Sequence, residues 1–225
     1  MTVRHRLGPA HVVFTGRAEG DLGHGGAFIH EVRPEVAARR QAVVDLPWTW
    51  IRQVHGDTVV RADSPGASAG VTADAVVTAA SGAAIAVLTA DCAPVVLAGD
   101  EGVVGVAHAG WAGLEAGVVQ QTVKEVRALG ATGVRALIGP CIRPECYAFG
   151  EDDLARLVDR YGPAVASRTA GGAPALDLAA GVRSALAEQG VDEVGDVEEC
   201  TACSISYYSW RARRETARQA AVAWR

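Results

Sequence analysis

The stretch AIAVLTADCAPVVLAGDEGVVGVAHAG, residues 84–110, sets three apolar runs in close succession: Ala84–Thr89, Pro94–Ala98 and Val103–Ala107. Each is short, rich in aliphatic residues and bounded by Asp, Pro or Gly, which is the signature of a strand. None alternates cleanly between apolar and polar. Both faces of each strand are therefore covered, and helices on each side are the expected cover. Outward from this block, Trp48–Val54 and Arg135–Ile138 read as further strands. Gly113–Leu129 places Leu114, Val118, Thr122, Val126 and Leu129 opposite Gln120, Gln121, Lys124 and Glu125, which predicts one amphipathic helix. Glu151–Tyr161 and Leu178–Gln189 look similar, the latter stopped by Gly190, and Pro34–Val44 adds a weaker helix. Strands and helices interleaved in this way predict an α/β (α+β) fold. It is expected to be one domain over residues 1–225, a mixed β-sheet sandwich with flanking helices.

Composition narrows the function. Hydrophobic residues make up 49% and charged residues 21% of the chain, the balance of a globular domain rather than a disordered one. A formal net charge of −5 without a basic stripe argues against a nucleic-acid partner. Arg211, Arg213, Arg214 and Arg218 do cluster, and read as the solvated face of a terminal helix. No apolar run is long enough to span a bilayer and no signal pattern opens the chain, so a cytoplasmic protein without a membrane partner is expected. In that compartment the five cysteines are core packing, metal ligands or nucleophiles rather than a disulfide framework.

The chemistry-bearing residues sit where strands meet loops. Arg52-Gln-Val-His55-Gly56 follows one strand, Thr89-Ala-Asp91-Cys92-Ala-Pro94 joins two, and His108-Ala-Gly110-Trp111 leads from a strand into a helix. Rigid strand ends are a common platform for catalytic groups. Two imidazoles and a thiolate form a donor set suited to Zn²⁺, with Cu as the alternative. Three protein ligands leave one tetrahedral position open, and zinc lowers the pKa of a bound water to about 7. Asp91 is a candidate general acid or base, or a partner that orients a histidine. The helix after Trp111 offers an anion its free N–H groups, and Gly110 and Gly113 permit close approach to the backbone. Spacing alone leaves a second reading open, in which a buried Cys and two hydrogen-bonded histidines merely pack.

A series of words through the chain resembles a known family. RQVHG (52–56), ADAVVT (73–78), TADCAPVVL (89–97), HAGWAG (108–113), IGPCIRPECYAFG (138–150), DL (177–178), CT (200–201) and YYSWRARRETARQ (207–219) occur in order. They are similar to the YfiH family, also called the laccase-domain or multicopper polyphenol oxidase-like family, from about residue 45 to 225. Members are described as purine nucleoside phosphorylases with adenosine deaminase side activity, and some as peptidoglycan editing factors. The resemblance implies metal ligands at His55, Cys92 and His108, zinc with copper as an alternative, and a monomer or weak homo-oligomer. Several positions depart from the pattern: Ala112 stands for an Arg, Arg143 for a Gly, Glu145 for a Cys, and Arg214-Glu215 interrupts an RRDG word. A lost Arg and a gained one would compensate if both serve phosphate.

The function so implied is phosphorolysis of adenosine, inosine, guanosine or methylthioadenosine to base and ribose 1-phosphate, with water attack on adenosine as a second outcome. Cys92, His108 and Asp91 are the candidate catalytic residues, and Arg52, Gly110, Trp111, Tyr208 and Arg211 the candidate substrate contacts. In a second reading Cys92 is a nucleophile and His108 its base, without metal, acting on an amide in peptidoglycan precursor editing. Copper-dependent phenol oxidation ranks below both, because His5, His11, His24 and His30 lie away from the motifs and a multicopper cluster needs many imidazoles. A nucleotide-sensing module without turnover ranks with it. Cys141, Cys146, Cys200 and Cys203 have half the look of a four-sulfur zinc site, but their wide spacing favours reduced packing cysteines.

Overall fold

The three strands of the 84–110 stretch do not share one sheet. In the computed structural model, which describes residues 2–23 and 32–225, the chain runs β1 (Val3–Leu7), β2 (Ala10–Phe14), α1 (Pro34–Val43), β3 (Trp48–Trp50), β4 (Val59–Arg61), β5 (Ala75–Thr78), β6 (Ala84–Thr89), β7 (Ala93–Ala98) and β8 (Val104–Ala109). It continues through α2 (Trp111–Ala116), α3 (Val118–Ala128), β9 (Arg135–Ile138), α4 (Glu151–Tyr161), β10 (Ala166–Arg168), β11 (Pro174–Leu176), α5 (Leu178–Glu188), β12 (Val194–Asp196), α6 (Trp210–Arg213) and β13 (Gln219–Trp224). One sheet has the order β1-β2-β13-β6-β3 and the other β12-β9-β7-β8-β5-β4, while β10 and β11 form a separate pair.

The two sheets pack face to face, and the period of two along each strand sorts its side chains between layers. In β6, Ile85 and Val87 point into the space between the sheets, whereas Ala84, Ala86 and Leu88 join Val43 of α1 on the outer side. In β7, Val96 and Ala98 face the other sheet, and Val95 and Leu97 face Val119, Val123 and Val126 of α3 and Val182 of α5. Every such strand is apolar on both faces because one side meets a sheet and the other a helix. The expectation of helices on both sides is corrected accordingly: the order of layers is helix, sheet, sheet, helix.

Two local readings also change. The helix expected over Gly113–Leu129 starts at Trp111 and breaks at Gly117, whose φ of 102° is a left-handed conformation that favours glycine. The cluster of terminal arginines is not a helical face. The helix there spans only Trp210–Arg213, and the chain then enters the first sheet as β13, antiparallel to both β2 and β6. Arg213 is spent on the local frame, donating to the carbonyls of Thr201, Ala202 and Tyr207.

This topology brings the chemistry together. Asp91 and Cys92 lie in the link that carries the chain from β6 in one sheet to β7 in the other, and His108 pairs with Pro94 at the neighbouring end of β8. Among the described residues, no helix is long and apolar enough to cross a membrane.

Candidate metal centre

His55, Cys92 and His108 converge. One ligand atom from each lies within 4.8 Å of the others, with Cys92 Sγ 3.8 Å from His55 Nε2 and the two imidazole rings edge to face at 4.7 Å between centroids. One member of the group, His55 at φ 61°, and the residue before Cys92, Asp91 at φ 101°, have left-handed backbone at residues other than glycine. Such conformations cost about 1–3 kcal/mol and persist only where the surroundings over-determine them.

Asp74, at the entry to β5, does much of that determining. Its side chain is fully buried and accepts hydrogen bonds from the backbone N–H groups of Val54, His55 and Gly56, at 2.8–3.2 Å. The same carboxylate lies 2.9 Å from His108 Nδ1. One anion therefore fixes both the turn that carries His55 and the ring of His108, and it leaves His108 Nε2 for a metal or for Cys92. Burial alone would push the Cys92 thiol up, but the adjacent His108 cation and hydrogen bonds from both histidines draw it down to about 6. Burial alone would likewise lower His108, but the Cys92 thiolate and Asp74 hold it up at about 9.

Gly110 completes the cradle. A Cβ there would stand 2.7 Å from His55 Cδ2 and 3.0 Å from Cys92 Sγ, so any side chain would intrude on the triad. The triad opens on a cavity of about 790 Å³ lined by Trp50, Trp111, Tyr147 and Trp210, by apolar Ile51, Leu88, Ile142 and Leu178, and by Arg52, Arg211 and Arg218. That volume falls in the range of small-molecule sites.

Arg52, Asp91, Trp111 and Arg211 line the cavity with the triad. Arg52 Nε donates to Thr72 Oγ1 at 2.9 Å, and the Arg211 guanidinium lies over the Tyr147 ring at 4.8 Å. The Asp91 carboxylate accepts from Thr201 Oγ1 at 2.7 Å and from the Arg211 backbone N–H at 2.6 Å, which suits a brace better than a proton carrier. The partner that orients a histidine is Asp74, not Asp91. Tyr208 is not brought to the cavity: its ring lies beneath the Arg17 guanidinium at 4.6 Å, and the wall position falls to Trp210, which sequence reading missed. Arg143 does not replace the missing Arg at position 112, because it forms a two-pronged ion pair with the buried carboxylate of Asp196. The anion dock after Trp111 shrinks to the start of a six-residue helix. His5 and His11 lie on β1 and β2, His11 stacked on Trp224, and His24 and His30 lie outside the described residues.

Comparison with known proteins agrees in fold and in family. A family model described as multi-copper polyphenol oxidoreductase laccase matches residues 26–225. A purine nucleoside phosphorylase of Streptomyces griseus is 40% identical over 245 residues, covering 100% of this chain and 99% of its own. The crystal structure of Neisseria meningitidis protein NMB0706 superimposes with a TM-score of 0.83 at 26% identity, covering 99% of this chain and 98% of that one. Bacillus licheniformis YfiH shares the fold at a TM-score of 0.81 and 23% identity, covering 96% and 92%.

Proposed function

The chain belongs to the multi-copper polyphenol oxidoreductase laccase family, and we propose that it is a purine nucleoside phosphorylase built on a His₂Cys metal centre. The observation that carries this reading is the convergence of His55, Cys92 and His108 on a cavity walled by aromatic rings and rimmed by arginines. The purine nucleoside phosphorylase of Streptomyces griseus, similar over its whole length, supports the choice of substrate.

The residues fit a metal. The donor set is two imidazoles and a thiolate of lowered pKa, Asp74 fixes which His108 nitrogen is free, and Gly110 keeps the space beside the donors clear. Zinc, with copper as the alternative, would be held by His55, Cys92 and His108 and would supply Lewis acidity toward a substrate or water oxygen. In the proposed reaction a phosphate oxygen attacks C1′ of the ribose and the bond from C1′ to the purine nitrogen breaks. The electron pair leaves with the base, and a proton returns to the ring nitrogen. Arg52, Arg211 and Arg218 are the groups that would neutralise phosphate, and Trp50, Trp111 and Trp210 would enclose the purine. Asp91 would hold the Arg211 segment in place. With water in place of phosphate, attack at C6 of adenosine would release ammonia and give inosine.

A second reading is favoured by one observation, the chain of Cys92, His108 and Asp74, which has the order of a nucleophile, a base and an orienting acid. It makes the protein an amide hydrolase without metal. Metal analysis with Cys92→Ser and His55→Ala variants separates the two, and incubating the pure protein with a panel of nucleosides, with and without phosphate, while following base and ammonia, tests the first. Phosphate-dependent base release supports phosphorolysis. Folded, metal-loaded protein that releases neither product overturns it.

A further inference from the structure

A second group of sulfur ligands lies outside the cavity. Glu145 and Cys146 come from the 3₁₀ turn Pro144–Cys146, while Cys200 and Cys203 come from a C-x-x-C turn that follows β12. One donor atom from each of the four lies within 4.8 Å of all the others. From this cluster we propose a second metal site, a structural Zn²⁺ held by Cys146, Cys200, Cys203 and Glu145, separate from the His55 centre and independent of the activity proposed there.

The geometry needs only small adjustments, the closest sulfur pair opening by several tenths of an ångström and any wider pair closing. Donors placed about 2.3 Å from a tetrahedral zinc lie about 3.8 Å from one another. Cys146 Sγ and Cys203 Sγ are 3.1 Å apart, beyond the bonded distance of about 2.05 Å, and Cys203 Sγ is 3.7 Å from Glu145 Oε1. Cys200 Sγ accepts the backbone N–H of Arg143 at 3.4 Å; burial raises its thiol, and the backbone N–H groups of Cys203, Arg143 and Ala202 work against that rise. A C-x-x-C turn whose own amides point back at its first sulfur is a usual way to seat a zinc thiolate. Cys141, the other candidate sulfur, does not take part. It is wholly buried in the apolar core, and that burial pushes its thiol up to about 12.

The site has something to hold. The 139–147 loop supplies Ile142 and Tyr147 to the cavity wall, and the turn after β12 supplies Thr201, which fixes Asp91 beside Cys92. These segments are joined by short backbone pairings, Cys141 N–H to Glu199 O and Thr201 N–H to Cys141 O among them, and by the Arg143–Asp196 ion pair at the end of β12. An ion bound from both sides would staple the wall to the brace. Four protein donors close the shell, as in structural zinc sites, whereas the three at His55 leave it open.

The test is metal content of full-length protein produced with zinc and purified without oxygen. Wild type is expected to hold two zinc ions per chain, Cys92→Ala one, and Cys92→Ala combined with Cys203→Ser none. Cobalt loaded into Cys92→Ala should show the charge-transfer absorption of thiolate ligation, and this band should disappear with Cys203→Ser. Cys203 and Glu145 are both exposed, so Cys203→Ser and Glu145→Gln keep the test open if Cys200→Ala fails to fold. A folded Cys92→Ala protein without tightly bound zinc overturns the proposal. So does a Cys146–Cys203 disulfide found by mass spectrometry in the freshly purified protein.

Discussion

Asp74 Oδ1 lies 2.9 Å from His108 Nδ1, with both side chains almost wholly out of solvent, and the same oxygen accepts the backbone N–H of His55 at 2.9 Å. A single carboxylate therefore sets the ring of one metal-competent histidine and the turn of the other. Asp74→Asn keeps the shape but gives up the charge and one acceptor oxygen. Its metal affinity should fall by about 10–100-fold. Competition against a chelator measures this, and an unchanged affinity would mean the triad is positioned by packing alone.

Gly110 is needed for its missing side chain, since its φ of −75° is open to any residue. Gly110→Ala would put a methyl against His55 and Cys92, a clash of the kind that costs about 1–3 kcal/mol. The expected result is protein with native circular dichroism and metal binding weakened about tenfold or more. Full metal occupancy at wild-type affinity would show that the triad can shift without cost.

The purine wall can be tested from its rim. Trp210 is partly exposed, so Trp210→Ala should spare the fold while removing a stacking surface worth about 1–3 kcal/mol. The nucleoside KM should rise about tenfold or more with a smaller change in kcat. Tyr208→Phe, which keeps the ring beneath Arg17, should change neither. The opposite ranking of the two variants would move the base to the Tyr208 side.

In metal-free protein the Cys92 thiol titrates near 6, so its alkylation rate should be low at more acid pH and rise as pH passes through that value. The thiolate is the reactive form and His108 holds it. His108→Ala removes the larger lowering influence and leaves burial, which raises the thiol, opposed only by His55, so the midpoint should move well above 6. Rates followed with a small alkylating agent read both midpoints directly, and a midpoint that stays near 6 in His108→Ala would contradict the pairing.

Much of this was legible before the fold was known. The runs in β6, β7 and β8 announce strands, and His55, Cys92 and His108 stand out as metal-competent groups at strand ends. The sandwich with flanking helices was legible, but an apolar strand reads alike whether its second face meets a sheet or a helix, so which strands go to which sheet was not. Asp74 stands inside a quoted motif, yet nothing local distinguishes a turn aspartate from one that gathers three backbone amides and an imidazole. Gly117 sits in an otherwise helical pattern, where a lone glycine is tolerated as often as it breaks. The choice between Tyr208 and Trp210 hangs on the path of a short turn, which periodicity does not resolve. Cys146 and the Cys200–Cys203 turn meet only because β9 and β12 pair side by side, a long-range event.

The decisive measurement is ribose 1-phosphate formed per purine released, by metal-loaded wild type and His55→Ala, as phosphate is titrated in. Phosphorolysis at the His₂Cys centre predicts one product for the other in wild type, release that saturates with phosphate, and loss of both in His55→Ala. Release that ignores phosphate, or that survives intact in His55→Ala while Cys92→Ala abolishes it, would contradict the metal centre and favour the Cys92–His108 pair.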